Sequence, residues 1–139
     1  MAYQRVLLKL SGEALGDPRT GQGFDADAVA RIAVQPENRD KLYERGRALL
    51  QRNRRIFSDW VETLGDGYSF IPPEAGALAF LKYPSPTPSL EIVERIRTNQ
   101  STLIVPGVHL GLEGYLRIWL GGQQAYLEEG LRRIAEELP

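Results

Sequence analysis

The chain has 139 residues, a net charge of −1 and no cysteine, a length and balance typical of one globular domain. Disulfides and thiolate metal sites are excluded, and the single histidine, His109, rules out a histidine metal cluster and argues against a His-dependent triad. Near-neutral charge gives no electrostatic reason to expect nucleic acid as a partner, and no apolar run approaches the ~20 residues of a membrane span.

In chain order, residues 4–10 have the pattern of a strand that Ser11-Gly12 ends. Lys9 interrupts that short apolar run and no cleavage pattern follows, so it is not a signal peptide; a cytoplasmic protein is the simplest expectation. Residues 16–23 are dense in turn formers and predict a loop. Asp25 suits the N-cap of a short helix running to Ala33.

Lys9-Leu10-Ser11-Gly12-Glu13-Ala14-Leu15, followed by Gly23-Phe24-Asp25 and a helix closing on Ala30-Arg31-Ile32-Ala33, resembles the start of bacterial uridylate kinases. The resemblance implies that Lys9, Ser11 and Gly12 contact nucleotide phosphates, through backbone amides and one cation. The plainer alternative is an ordinary strand and turn with a solvated Lys9. Composition changes at Ala33-Val34-Gln35-Pro36, which sets a junction between residues 1–33 and 34–139. The chain therefore reads as a join of two unlike pieces, a chimera or fusion.

Residues 37–64 predict one long helix, because Leu42, Leu49, Asn53, Ile56, Phe57, Trp60, Val61 and Leu64 recur at three- and four-residue steps. Arg45, Arg47, Arg52, Arg54 and Arg55 make its other side basic. That side is either an anion-binding surface or, the simpler expectation, a solvated face with Glu37, Asp40, Glu44, Asp59 and Glu62 as partners. Gly65-Asp66-Gly67 ends the helix. Tyr68–Ile71 is a short extended piece stopped by Pro72-Pro73, and residues 75–83 form a strand. The small residues Ala75, Gly76 and Ala77 admit close approach, either of a ligand or of a packed helix. After the stiff Pro84, Pro86 and Pro88, a helix spans residues 89–99 with Leu90, Val93 and Ile96 inward. Thr102–Val105 is a buried-type strand, and residues 123–138 form a last helix with Leu127, Leu131, Ile134 and Leu138 on one face.

Between these lies Val105–Gly121, a strand end, a glycine-rich loop and a second strand. Alternation puts Leu116, Ile118 and Leu120 on one face and Tyr115, Arg117 and Trp119 on the other. An arginine in mid-strand requires an anion: either a protein carboxylate such as Glu94 or Glu113, or a ligand. His109, in the loop, either touches that ligand or faces solvent. The expected fold is α/β (α+β), a small three-stranded, mainly antiparallel sheet with helices on one face and an added N-terminal strand–loop–helix. The strand carrying Arg117 inserts between the other two, antiparallel to both, and the second sheet face is less well covered.

Pro106-Gly107, the short loop, Tyr115-Leu116-Arg117-Ile118, Gly121 and the final amphipathic helix resemble the C-terminal small domain of class I/II pyridoxal-phosphate aminotransferases. So does Pro72-Pro73-Glu74-Ala75-Gly76-Ala77-Leu78-Ala79-Phe80-Leu81. The resemblance implies that Arg117 grips the α-carboxylate of an amino acid or 2-oxo acid, with Gly76 near the substrate. The sequence departs from the family at Trp119, where a small residue is usual, and at Leu110, where Phe is common. In that family the cofactor's lysine, acid and phosphate cup lie in a large domain. Lys9, Lys41 and Lys82 stand in no matching motif, so no bound cofactor and no turnover are expected of this chain alone. Its expected partners are a large domain supplied in trans or a second copy of itself.

Overall fold

A computed structural model describes residues 35–139. The chain divides into two compact units, Met1–Gly46 and Arg47–Pro139. The boundary falls inside helix α1, Pro36–Thr63, at a glycine that weakens a helix by roughly 1 kcal/mol relative to alanine. In the first unit the described residues open α1, where the Gln35 carbonyl accepts from the Asn38 and Arg39 amides. Leu42, expected on the apolar stripe, is exposed there. The strand expected at 4–10, the helix from Asp25 to Ala33 and the phosphate-site residues Lys9, Ser11 and Gly12 lie outside the described residues.

The second unit continues α1 and adds β1 (Ser69–Phe70), β2 (Leu78–Lys82), helix α2 (Ser89–Gln100), β3 (Val105–Pro106), a single 3-10 turn (Gly107–Leu110), β4 (Tyr115–Trp119) and helix α3 (Gln124–Ala135). Its sheet has four strands in the order β1-β2-β4-β3, every neighbouring pair antiparallel. The strand of Arg117 is therefore interior, as its insertion between two parallel neighbours requires. The fourth strand is the piece at 68–71: Ser69 pairs with Lys82 and Phe70 with Leu81. Two residues are too short to show a period of two, so only pairing with β2 reveals this strand.

Alternation decides what is buried. Ala79 and Leu81 of β2 and Leu116 and Ile118 of β4 point to one face. There they meet Phe57 and Val61 of α1, Ile92 and Ile96 of α2, and Leu127, Leu131 and Ile134 of α3. Each of the larger of these side chains contributes about 1.5–3 kcal/mol when removed from water. Phe70 adds an edge-on contact to Phe57, with ring centroids 4.9 Å apart. In α2 the buried positions are Ser89, Ile92, Val93 and Ile96, whereas Leu90, expected inward, is 46% exposed. The buried positions follow an i, i+3, i+4, i+7 pattern from Ser89, so Ser89 and not Leu90 takes the inward position. The third strand begins at Val105 rather than Thr102, and Leu103 before it is 79% exposed.

The arginines at positions 45, 47, 52, 54 and 55 are exposed, but the carboxylate pairs expected for them are not formed among the described residues. Arg54 instead donates to the Pro73 carbonyl at 3.1 Å. Ion pairs concentrate on α3, where Arg132 and Arg133 hold the Glu129 carboxylate down to about 2. Among the described residues no helix is long and apolar enough to cross a membrane, and no cluster of side chains could hold a metal ion.

Candidate functional site

The sheet face opposite the helices carries Phe80, Lys82, Leu78, Tyr115, Arg117 and Trp119. The register sets them in rows: Phe80, Arg117 and Val105 share one, Leu78 and Trp119 the next, Lys82 and Tyr115 the last. Directly opposed residues point to the same side, so apolar residues flank Arg117 on both neighbouring strands. A shallow depression of about 290 Å3 opens there, lined by Leu78, Leu103, Ile104, Val105, Arg117 and Trp119. Its only charged lining group is the Arg117 guanidinium.

Arg117 is half-buried and makes no hydrogen bond or ion pair from its side chain among the described residues. Both candidate protein partners are engaged elsewhere. Glu94 pairs with Arg97 at 2.7 Å on the solvent side of α2. Glu113 accepts from the Ser89 amide at 2.7 Å, the Gly114 amide at 3.1 Å and the Tyr83 hydroxyl at 3.2 Å. Those amides, Ser89 first, hold the Glu113 carboxylate below its ordinary range, while burial and then Glu113 push Tyr83 up to about 12. Glu113 thus supplies the N-terminal cap that Pro88 cannot, and the Ser89 hydroxyl accepts in turn from the Val108 amide at 3.2 Å. The loop between β3 and β4 is tied to α2 by both contacts. Gly107 starts that loop in a place only glycine fits, since a Cβ there would lie 2.0 Å from the Leu112 carbonyl oxygen.

At the other end of β4, Asn53 of α1 is fully buried, and its amide donates to the Leu120 and Gly122 carbonyls at 2.7 and 2.8 Å. Sequence periodicity placed Asn53 on the apolar stripe but gave it no task. An amide among leucines and aromatics was the available signal, because a buried amide requires partners. Gly76 sits in the bend before β2 with φ +93°, exposed and with open space where a Cβ would be. The positive φ accounts for glycine there, and among the described residues no atom beyond its chain neighbours lies within 4 Å of the Cβ position. It is not among the residues lining the depression. His109 is exposed on the 3-10 turn and does not line it either.

A model of the family described as aminotransferase class I and II matches residues 15–134. The chain belongs to the class I and II aminotransferases. The match begins inside the segment that resembles uridylate kinases. Capreomycidine synthase of Streptomyces vinaceus is 30% identical over 112 residues, 81% of this chain and 28% of that enzyme. A PLP-dependent aminotransferase from Streptococcus suis 89-1591 matches with a TM-score of 0.73 at 26% identity, over 80% of this chain and 29% of that one. Aspartate aminotransferase from Thermus thermophilus shares the fold with a TM-score of 0.68 at 20% identity, over 80% and 28%. The chain spans less than a third of the length of these relatives.

Pyridoxal phosphate requires an amine for its aldehyde, an acid for its ring nitrogen and donors for its phosphate. The depression beside Arg117 offers one guanidinium and five apolar residues. Lys82 is exposed two rows from Trp119. The groups around this depression do not, by themselves, fit the cofactor.

Proposed function

We propose that this chain is a small-domain piece of a class I/II aminotransferase, with Arg117 as the contact for the α-carboxylate of an amino acid or 2-oxo acid. The supporting observation is the half-buried guanidinium on the interior strand, facing outward among apolar residues with no carboxylate partner among the described residues. A guanidinium in low-dielectric surroundings gains most from a planar anion that accepts two parallel hydrogen bonds. In this reading the described residues do not catalyse transamination by themselves, and the cofactor groups belong to the large domain of the family. Gly76, in the exposed bend that leads into β2, is the proposed point of backbone approach to the substrate.

The Arg117 Nε–Hε signal, followed by NMR while alanine or pyruvate is added, tests this. That signal is expected to shift with both, while the main-chain amide response around residue 117 is expected to weaken about tenfold in Arg117→Lys and to show no saturation in Arg117→Gln. A main-chain response that is the same in Arg117→Gln as in the natural chain contradicts the assignment. Mixing with pyridoxal phosphate is expected to leave the visible spectrum unchanged, and a new absorbance band would refute the absence of cofactor chemistry.

A second reading has its own support. Leu103 is 79%, Trp119 56% and Leu78 42% exposed on the same open face, an apolar patch of the kind that mediates association. The chain is then also an interaction module that pairs through this face with a large domain or with its own copy.

A further inference from the structure

We infer that Trp119 sets the selectivity of the Arg117 site, so that the site takes a monocarboxylate bearing an apolar, ring-sized substituent in preference to a small or doubly charged acid. This rests on the proposal that Arg117 holds a carboxylate.

The lining of the depression dictates the shape of its occupant's chemistry. Arg117 is the one charged group, and Leu78, Leu103, Val105 and Trp119 form the surrounding wall. A second carboxylate on the ligand finds no cation in that wall and must be desolvated against leucine and indole. An acid as small as acetate leaves the wall wet. An acid with an apolar ring satisfies the guanidinium at one end and covers the wall at the other, within a depression of about 290 Å3.

Trp119 is held in place for this role. Its indole lies against the backbone that follows β4: a Cβ at Gly121 would sit 2.6 Å from the ring, and one at Gly122 3.4 Å from it. Gly121 does not have a positive φ, so backbone conformation does not demand glycine there; room for the indole does. The same backbone is fixed from beneath by the Asn53 amide, through the carbonyls of Leu120 and Gly122. A ring wall anchored by a buried amide loses little freedom when a ligand covers it, which is the condition for selectivity by apolar contact.

The test uses the whole chain labelled with 15N, and follows the Arg117 Nε–Hε and Trp119 indole N–H signals against acetate, succinate, 3-phenylpropionate and the neutral 3-phenylpropionamide. The expected result is that 3-phenylpropionate moves both signals and binds about tenfold tighter than acetate or succinate, as burial of an aromatic ring implies. Trp119→Ser and Gly121→Ala, the second keeping the indole but displacing it, are each expected to bring that ratio towards one. A ratio near one in the natural chain, or one unchanged in Gly121→Ala, overturns the selectivity inference and leaves Arg117 as a carboxylate contact. No response of Arg117 to any acid, or an equal response to the amide, overturns both.

Discussion

Both amide protons of Asn53 go to carbonyls at the end of β4, and the side chain is fully buried. Asn53→Leu keeps the volume and orphans two acceptors, so it is expected to lower stability by about 2–3 kcal/mol, read by denaturant unfolding. Glu113 provides a pH-dependent counterpart. Its folded carboxylate lies below the ordinary value of 4.5, chiefly because the Ser89 and Gly114 amides favour the charged form. A depressed folded pKa means that the stabilisation is complete above the ordinary value and is lost as pH falls through the folded one. The thermal midpoint is therefore expected to drop below pH 4.5, and Glu113→Gln to lower it at neutral pH while flattening the acid limb. An unchanged acid limb in that variant would assign the pH dependence to other carboxylates, such as Glu129.

At the scale of elements, α2 ends on Ser101 with φ 49°, a left-handed conformation that costs a side-chain-bearing residue about 1–2 kcal/mol. Ser101→Gly is expected to raise stability by about 1 kcal/mol, measured by the same unfolding assay. How far such elements could be read from the sequence depended on their length. Residues 115–119 alternate long enough to declare their inward face, and the β–α–β order with an inserted strand put Arg117 in the interior. The pair Ser69–Phe70 had no period to read, and Leu90 falls outside the buried set Ser89, Ile92, Val93 and Ile96 although the helix starts where expected, because a polar serine and not the leucine holds the inward position. The site divides in the same way. Arg117 and Trp119 were legible as neighbours on one strand face, because local geometry places them there. The clamps from Asn53 and Glu113 were not, because they join positions 67 and 24 residues apart in sequence.

The whole unit has one face sealed by three helices and one face on which an arginine sits among apolar side chains. Such an uneven distribution predicts association that depends on concentration. Sedimentation velocity is expected to show larger species as concentration rises, and Leu103→Lys together with Leu78→Lys to reduce them. Species that persist unchanged in the double variant would place the contact elsewhere. On that face the chain, spanning under a third of its relatives, presents a guanidinium among apolar side chains. The most direct measurement is a crystal structure of the chain grown with 3-phenylpropionate. The account predicts both carboxylate oxygens within about 2.7–2.9 Å of the Arg117 guanidinium, on the side of the sheet away from the helices. Arg117 paired with a carboxylate of the chain itself, the acid bound elsewhere or not at all, would contradict it.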